Sequence, residues 1–294
     1  MAAPGVSVVM SAYNEERYLA TAVDSILGQT FHDFELVVVD DGSTDGTPQV
    51  LARYDDPRLR VVRQPNQGLT ASLIHGLSLA RGKYIARMDA DDLAYPDRLG
   101  RQAAFLDANP AVGLLGTAFD EIDAEGRVIG RRPCPTGDAA LRRTLIRYNP
   151  FFHSSIMLRR GPVEAVGGYR PTPKDVSVRH WDSVQDYDLW FRLARVTQLA
   201  ALPEALTARR YHGANISIRR ETAQLRQAVR LRWHAIRRGD YPPHCVVHLL
   251  RPTLVSLVPG PLRIALRRTL LGSRIYSSQE ERARARRLPD TRSA

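Results

Sequence analysis

The chain has 294 residues, 44% of them hydrophobic, so it can bury a sizeable core without disulfides or a structural metal. Its two cysteines, Cys134 and Cys245, belong to no spaced cluster, which argues against a disulfide framework or a zinc site and for a reducing compartment. The net charge of +11 is concentrated after residue 218, where 17 arginines and 5 acidic residues give +12.

The termini carry no obvious targeting or spanning segment. The N-terminus lacks a basic segment followed by a long apolar stretch, so we expect no signal peptide. No apolar run approaches the roughly 20 residues that cross a bilayer, and the nearest candidate, 246–262, is interrupted by Arg251 and Pro252. We therefore expect a cytoplasmic protein that can lie on a membrane but does not cross it.

The first part of the chain alternates strands and helices. Apolar, β-branched runs at 6–10 and 35–39 predict strands, and the helical spacing of apolar residues between them predicts a helix. Strand, helix, strand is the unit of a parallel sheet. The alternation continues with predicted helices at 47–54 and 72–82 and predicted strands at 58–64 and 83–92. Gly82 is predicted to cap the second of these helices.

Beyond residue 95 the pattern changes. We predict a helix at 96–110, two strands at 112–130 joined by a turn, a strand and short helix at 151–170, and an amphipathic helix at 183–196 that places Trp190 and Phe191 in the core. From about residue 220 the chain is predicted to be helical and arginine-rich. These features predict an α/β domain over 1–218 and a basic helical C-terminal extension over 219–294.

Acidic clusters follow two of the predicted strands. Asp40 and Asp41 end the run ELVVV, and Asp89, Asp91 and Asp92 end KYIARM. Ligands of open α/β sheets bind at the carboxyl ends of the strands, and hard carboxylate oxygens suit Mg²⁺ or Mn²⁺. Either cluster alone could be a solvated turn, but two in the same half of the chain favour a site for a metal and a diphosphate. Glycine-rich phosphate loops are missing from the sequence.

Several ordered motifs resemble one family. VSVVMSAYNEERYLATAVDSILGQTFHDFELVVVDDGSTDGT looks like the opening of inverting family 2 glycosyltransferases, which have the GT-A fold, a mostly parallel central sheet flanked by helices. The resemblance continues through NQGLTASLIHGLSLARGKYIARMDADD, NPFFHSSIMLRR, GGYR and QDYDLWFRL, and it ends near YHGANIS. It therefore covers residues 5–218.

The resemblance implies roles for particular residues. It implies that the nucleotide is bound by Ser11, Tyr13 and Asp41, with Asp40 and Glu15 beside them and with Asp89 contacting ribose and diphosphate. It further implies a Mn²⁺ or Mg²⁺ ion held by the residues Asp89, Asp91 and His212.

The same resemblance makes Asp186 the catalytic base. This carboxylate would remove the proton from an acceptor hydroxyl as its oxygen attacks the anomeric carbon opposite the nucleotide, so the product is inverted. The chain departs from the family at Gln185, where a glutamate is common, which removes one negative neighbour of the base. Gln185 is placed on the acceptor side. Trp181 is interpreted as part of an acceptor-facing lid, and His153 as either structural or part of the acceptor pocket.

The arginine-rich extension allows three interpretations: a solvated helical face, a nucleic-acid patch or a membrane-surface anchor. Apolar stretches interleave with its arginines, which favours an anionic membrane surface. No recognition motif accompanies the charge, so we expect no nucleic acid partner.

The predicted function is transfer of a sugar from a nucleotide diphosphate, with UDP-sugars as the expected donors, to a lipid-linked or saccharide acceptor in surface polysaccharide or glycolipid synthesis. The QxxRW motif of processive members is absent, which favours transfer of a single sugar. Two alternatives remain at this point: a sugar-1-phosphate nucleotidyltransferase, and a non-catalytic membrane-peripheral scaffold built on a transferase-like domain.

Overall fold

The computed structural model of the protein describes residues 3–172, 181–212 and 221–258. Most of the proposed lid segment around Trp181 and the distal half of the basic extension lie outside these residues. No helix in the described ranges is long and apolar enough to cross a membrane.

A single mixed sheet organises the described part of the chain. Its strands are β1 (Val6–Ala12), β2 (Phe34–Asp40), β3 (Leu59–Arg63), β4 (Tyr84–Asp89), β5 (Leu93–Ala94), β6 (Val112–Ile122), β7 (Val128–Arg132), β8 (Met157–Arg159) and β9 (Gln198–Arg210). They are ordered β3-β2-β1-β4-β8-β6-β9-β5, and β7 pairs with β6.

Helices cover both faces of this sheet. They are α1 (Leu19–Leu27), α2 (Thr47–Leu51), α3 (Leu69–Leu79), α4 (Arg98–Ala108), α5 (Asp138–Leu145), α6 (Arg160–Ala165), α7 (Gln185–Leu193), α8 (Glu221–Arg237) and α9 (Val247–Leu257). Two short 3₁₀ helices, His153–Ser155 and Pro243–Val246, precede β8 and α9. Within the described residues the strands and helices predicted from the sequence are present, with shifted ends, and the helical prediction for 259–294 lies outside them.

The four N-terminal strands form the parallel half of the sheet. β1 lies between β2 and β4, with Ala12 opposite Asp40 and Ser11 opposite Asp89. The carboxyl ends of these strands therefore meet at one edge, as the sequence predicts. The other half mixes orientations, because β8 runs antiparallel to both β4 and β6. β9 is parallel to β6, so its last residue, Arg210, reaches the same edge as Asp89.

Two hydrophobic clusters lie on opposite faces of the sheet because side chains alternate along each strand. One contains Val8 and Met10 with α1 and α4, and the other contains Val9 with α3 and α7. In the second cluster Trp190 is fully buried and Phe191 is 4% exposed, which confirms their placement in the core.

The helix α7 has the predicted amphipathic sequence, but the solvent-exposed polar face that such a pattern indicates is absent, because the helix is buried nearly all round. Eight of its nine residues are buried. The outer face is covered by α8, where Arg232 Nε donates to Tyr187 Oη at 2.9 Å and Ala228 and Ala235 join the second cluster. The first helix of the C-terminal extension therefore shares a core with the α/β body.

The role predicted for Gly82 is wrong. The α3 helix ends earlier, with Ala80 as its C-cap residue in an extended conformation. A Cβ atom at Gly82 would lie 2.5 Å from the Ser7 backbone nitrogen and 2.7 Å from the Val6 carbonyl carbon. Glycine is required here because the chain passes directly against β1.

We expect Gly82→Ala to lower the free energy of unfolding by about 2–4 kcal/mol, since backbone on both sides must move to admit the methyl group. Gly161→Ala is the matched control, because nothing lies within 4 Å of a Cβ atom there. Urea denaturation of both variants measures the difference. Equal stability of the two variants would contradict the close packing of Gly82 against β1.

Candidate active site

Two loops at the carboxyl edge, one after β1 and one after β2, are joined by hydrogen bonds. The backbone N–H groups of Asn14 and Glu15 donate to Ser43 Oγ at 3.0 Å and Thr47 Oγ1 at 2.8 Å. In return, Thr44 N–H donates to Asn14 Oδ1 at 2.8 Å. Asn14 has a φ of 56°, a left-handed conformation that asparagine tolerates better than most residues. The connection fixes the position of the β1 loop above the sheet.

Tyr13 remains accessible on this rigid loop. Its side chain is 47% exposed although it follows directly on a buried strand, so its ring is available to a planar ligand. Ser11 is half-buried and lies opposite Asp89, which is on the neighbouring strand β4. The structure thus places these three predicted nucleotide contacts along the end of β1 and β4.

Asp41 is buried and holds the start of α3. Its carboxylate accepts hydrogen bonds from the Gln64 side-chain amide at 2.7 Å and from the backbone N–H groups of Gln67 at 3.0 Å and Gly68 at 2.8 Å. A carboxylate offers about four acceptor positions, so three donors leave room for one further N–H group.

Asp40 is 1% exposed and supports its own loop. Its Oδ1 accepts a hydrogen bond from Ser43 N–H at 2.9 Å, and its Oδ2 lies 3.3 Å from Arg63 Nε. The supporting role of Asp40 at a nucleotide site stays a prediction.

A network of four side chains surrounds the end of β4. Arg87 forms an ion pair with Asp89, and Ser154 Oγ lies 2.9 Å from Asp89 Oδ2 and 2.6 Å from Asp92 Oδ2. Burial alone would raise the pKa of Asp89, but the Arg87 charge holds that pKa below its ordinary value. Burial and two acidic neighbours instead raise the pKa of Asp92 well above its ordinary value. Asp92 is therefore a structural carboxyl group, and Asp89 is an ionised one.

Asp91 and His212 meet at this edge although 121 positions separate them in the sequence. Asp91 Oδ2 lies 2.8 Å from His212 Nε2. The His212 ring lies 4.9 Å from the Tyr18 ring, and Arg210 donates to the Asp91 carbonyl at 2.9 Å. Arg210 N–H also donates to Asp92 Oδ1 at 2.9 Å, which ties the end of β9 to the acidic cluster.

The pKa of Glu15 is affected by the negative charge of this region. Burial, followed by the charges of Asp91, Asp89 and Asp45, raises the pKa of Glu15 to about 8. The acidic groups therefore repel one another, and a cation would relieve that repulsion.

The residues present fit a divalent cation that is shared with a substrate. The described residues contain no group of three His, Cys, Asp or Glu side chains arranged to hold a metal by themselves. Asp91 and His212 supply one carboxylate oxygen and one imidazole nitrogen, whereas both oxygens of Asp89 are engaged by Arg87 and Ser154. Mg²⁺ and Mn²⁺ sites commonly take few protein ligands and complete their shell with phosphate oxygens and water.

Asp186 lies in the first turn of α7 with both oxygens hydrogen-bonded. Asn149 Nδ2 donates to Oδ2 at 2.8 Å, and Tyr187 N–H donates to Oδ1 at 2.7 Å. Burial raises the pKa of Asp186 to about 6, the two hydrogen bonds limit the rise, and the charge of Asp89 adds to it. A carboxylate with this pKa is a better proton acceptor than an ordinary aspartate and is still ionised at neutral pH.

His153 is partly buried and lies close enough to Asp89 to sense its charge. Its Nε2 is 2.7 Å from Tyr169 Oη, and its ring lies 6.0 Å from the Trp190 ring. Burial and the Arg87 charge lower its pKa to about 3, so the ring is neutral. The hydrogen bond supports the structural interpretation, and an acceptor contact remains a prediction.

The two other predicted acceptor-side residues are buried. Gln185 is 3% exposed, and its Oε1 accepts no hydrogen bond from the residues described. Trp181 is 5% exposed, and its Nε1 donates to the Arg170 carbonyl at 2.9 Å. It packs with Val184 and Leu231. Their roles toward an acceptor remain predictions.

Sequence reasoning assigned no role to several residues that shape the site. Asn149 and Ser154 occur in the motif NPFFHSSIMLRR, but nothing in their spacing connects them to Asp186 or Asp89. Asp182 was also missed: its carboxylate accepts hydrogen bonds from the backbone N–H groups of Leu69 at 3.1 Å and Thr70 at 2.9 Å. It therefore caps the N-terminus of α3 from a position four residues before Asp186.

The architecture and sequence were compared with those of known proteins. S. aureus TarS in complex with UDP-GlcNAc superimposes with a TM-score of 0.66 at 20% identity, over 84% of this chain and 72% of that chain. The mannosyltransferase PcManGT of Pyrobaculum calidifontis, in complex with GDP-Man and Mn²⁺, gives a TM-score of 0.61 at 22% identity, over 97% of this chain and 81% of that chain. At such identities the agreement shows a shared fold.

The family model described as glycosyl transferase family 2 matches residues 7–167, more than half of the chain. The chain belongs to glycosyl transferase family 2. The sequence resemblance and the GT-A fold are thus confirmed. Among family relatives, EpsE of Bacillus subtilis, named as a glycosyltransferase, is 35% identical over 266 residues, which cover 87% of this chain and 91% of EpsE. The amylovoran biosynthesis glycosyltransferase AmsE of Erwinia amylovora is 29% identical, over 76% of this chain and 83% of AmsE.

We expect Ser154→Ala to lower the free energy of unfolding by about 1–3 kcal/mol, because the buried Asp92 and the half-buried Asp89 of this family 2 site lose their shared partner. Ser78→Ala is the control, since that hydroxyl is exposed on α3 and bonds only its own helix backbone. Chemical denaturation at pH 7 measures both. A loss for Ser154→Ala no larger than for Ser78→Ala would show that the bridge contributes little.

Proposed function

We propose that this glycosyltransferase transfers one sugar from a UDP-sugar to an acceptor hydroxyl with inversion at the anomeric carbon. The observation that carries the proposal is that two chemically different carboxylate sites lie near the same edge of the sheet. Asp91 with His212 can hold a cation and a diphosphate. Asp186 is a separate, hydrogen-bonded base whose pKa is raised to about 6 and which lies close enough to Asp89 to sense its charge.

The donor would lie along the ends of β1, β2 and β4. Tyr13 would stack on the base, Asp41 would accept a base N–H, and Ser11, Asp40 and Glu15 would support this pocket. Asp89 would contact the ribose and diphosphate. UDP is the preferred nucleotide because TarS, which shares the fold, is described with UDP-GlcNAc, although PcManGT is described with GDP-Man.

The residues Asp91 and His212, with Asp89 beside them, would hold Mn²⁺ or Mg²⁺. The bound ion would offset the charge that builds on the departing diphosphate. A Mn²⁺ ion accompanies the nucleotide sugar in the structure of PcManGT.

Asp186 would take the proton of the acceptor hydroxyl while that oxygen forms its bond to the anomeric carbon. The bond from the anomeric carbon to the diphosphate oxygen breaks on the opposite face, which leaves the nucleoside diphosphate and an inverted glycoside. Asn149 and the Tyr187 N–H group hold the carboxylate in place, so that one lone pair of each oxygen stays available.

The acceptor we propose is a lipid-linked or saccharide hydroxyl used in surface polysaccharide or glycolipid synthesis. Support comes from AmsE, whose name assigns it to amylovoran biosynthesis. His153, Gln185 and Trp181 would lie toward this acceptor. With a lipid-linked acceptor we place the enzyme as a peripheral protein on the inner face of the cell membrane.

Metal-dependent nucleotide binding tests the donor site. At a UDP concentration about 100 times its Kd with Mn²⁺ present, we expect Tm to rise by about 5 °C or more, since binding of that strength adds about 2.7 kcal/mol. UDP without Mn²⁺ is expected to give a much smaller shift. Asp91→Asn should remove the Mn²⁺-dependent part, and Asp55→Asn, an exposed aspartate away from the site, should retain it. A full Mn²⁺-dependent Tm shift in Asp91→Asn would show that Asp91 does not hold the metal.

The pH dependence of transfer tests the base. Because the ionised form of Asp186 accepts the proton, kcat/KM should rise about tenfold per pH unit below about 6 and level off above it. Asp186→Asn should lower kcat by about 100-fold or more while the Mn²⁺-dependent UDP shift persists. Retained activity in this variant, or a rate that falls with rising pH through this window, would remove Asp186 from the mechanism.

A further inference from the structure

The helix α9 presents an apolar stripe to solvent. Val247, Leu250, Leu254 and Leu257 are 54%, 60%, 64% and 68% exposed. Their spacing of three, four and three residues places them on one side of the helix. The opposite side is attached to the protein through the buried residue Leu249. A contiguous row of large exposed apolar side chains marks an interaction surface.

A basic cavity borders the start of α9. It has a volume of about 650 Å³ and is bounded by α5, the end of α7 and the segment that leads into α9. The arginine, aspartate and histidine residues around it are Arg142, Arg143, Arg147, Arg195, Asp240, His244 and His248. His248 belongs to α9 itself, so the cavity and the stripe share a helix.

The positive charge of the cavity is only partly balanced. Its one acidic residue, Asp240, lies 3.3 Å from Arg195 Nε and is also paired with Arg238. Arg143 and Arg147 on the opposite wall are exposed, and no acidic side chain in the described ranges forms an ion pair with either of them. Two guanidinium groups are therefore exposed to solvent at a cavity that α9 also lines through His248.

The excess of positive charge affects the pKa of His248. The pKa of His248 is held below its ordinary value by burial and then by the charges of Arg147, Arg232 and His244. An anion bound in the cavity would offset that field.

Charge and apolar surface together distinguish three candidate occupants of this surface: the chain's own segment 259–294, a nucleic acid and a membrane. The chain's own segment 259–294 has nine arginines and three acidic residues, so the basic cavity repels it. A nucleic acid would neutralise the arginines but leave the leucines in water. An anionic membrane satisfies both features, since acyl chains cover apolar side chains and headgroup phosphates pair with arginine.

We propose that α9 docks on an anionic membrane surface, with Val247, Leu250, Leu254 and Leu257 inserted and with headgroup phosphates bound by Arg143 and Arg147. This surface deepens the proposed function by naming the contact that holds the enzyme at a lipid-linked acceptor. It lies apart from the donor site and needs no nucleotide.

Flotation of the full-length protein with vesicles tests the docking surface. Vesicles of phosphatidylcholine alone are compared with vesicles in which about one lipid in three is the anionic phosphatidylglycerol. Both experiments are done without nucleotide or metal. We expect binding to the anionic vesicles only. Leu250→Ser with Leu254→Ser should weaken it at least tenfold, whereas Val128→Ser with Ile129→Ser, an equally exposed apolar pair on β7, should change it less than about twofold.

The arginines are tested separately. Arg143→Gln with Arg147→Gln should weaken binding by about fivefold per residue and reduce its sensitivity to salt. The exposed pair Arg53→Gln with Arg60→Gln on the body of the protein is the control and should have a smaller effect.

Three results would overturn the proposal. They are equal binding to neutral and anionic vesicles, unchanged binding of the leucine variant, and a dimer in light scattering that the leucine variant abolishes while no vesicle binding occurs. The Mn²⁺-dependent UDP shift is measured on the same samples and reports folding. A protein that shows this shift without vesicle binding contradicts the docking surface alone, and one that binds vesicles without the shift contradicts the donor site alone.

Discussion

Electrostatic repulsion at the carboxyl edge of the sheet is the constraint on which the rest of the site depends. The parallel register brings the ends of β1, β2 and β4 together and gathers Glu15, Asp89, Asp91 and Asp92 within mutual electrostatic reach. Such a cluster is unfavourable unless each charge is neutralised, paired or protonated. The structure uses two of these solutions, since an arginine pairs with Asp89 and burial favours the protonated form of Asp92. Asp91 in turn lies 2.8 Å from His212 Nε2.

The elements that supply these partners come from distant parts of the chain. Arg210 ends β9 and His212 follows it, and β9 reaches the edge only because β6 and β9 run parallel to β4 after the antiparallel strand β8. Ser154 comes from the 3₁₀ helix before β8. The mixed half of the sheet therefore completes a site that the parallel half begins.

The segment that carries Asp186 is anchored to the start of α3. Asp182 binds the free N–H groups at the start of α3, and Asp41 binds those of the two preceding residues. One helix N-terminus thus connects the loop after β2 with the turn before α7. This connection gives the fold a direct way to hold the two halves of a transfer site at a fixed separation, which an enzyme that aligns a donor and an acceptor requires.

The sequence by itself determined the strands, their acidic ends and the family, because β-branched runs, helical spacing and adjacent motifs are local properties of the chain. It also pointed to Asp91, His212 and Asp186 through the resemblance, although no spacing connected the first two. Only the tertiary structure decided which residues surround the site. Asn149 contacts Asp186, Ser154 contacts Asp89, and Asp182 contacts Thr70, each across tens of residues and through contacts that no local pattern encodes. The same reason explains the two differences between prediction and structure: α8 covers the face of α7 that a local pattern assigns to solvent, and the need for glycine at position 82 arises from the passing strand β1.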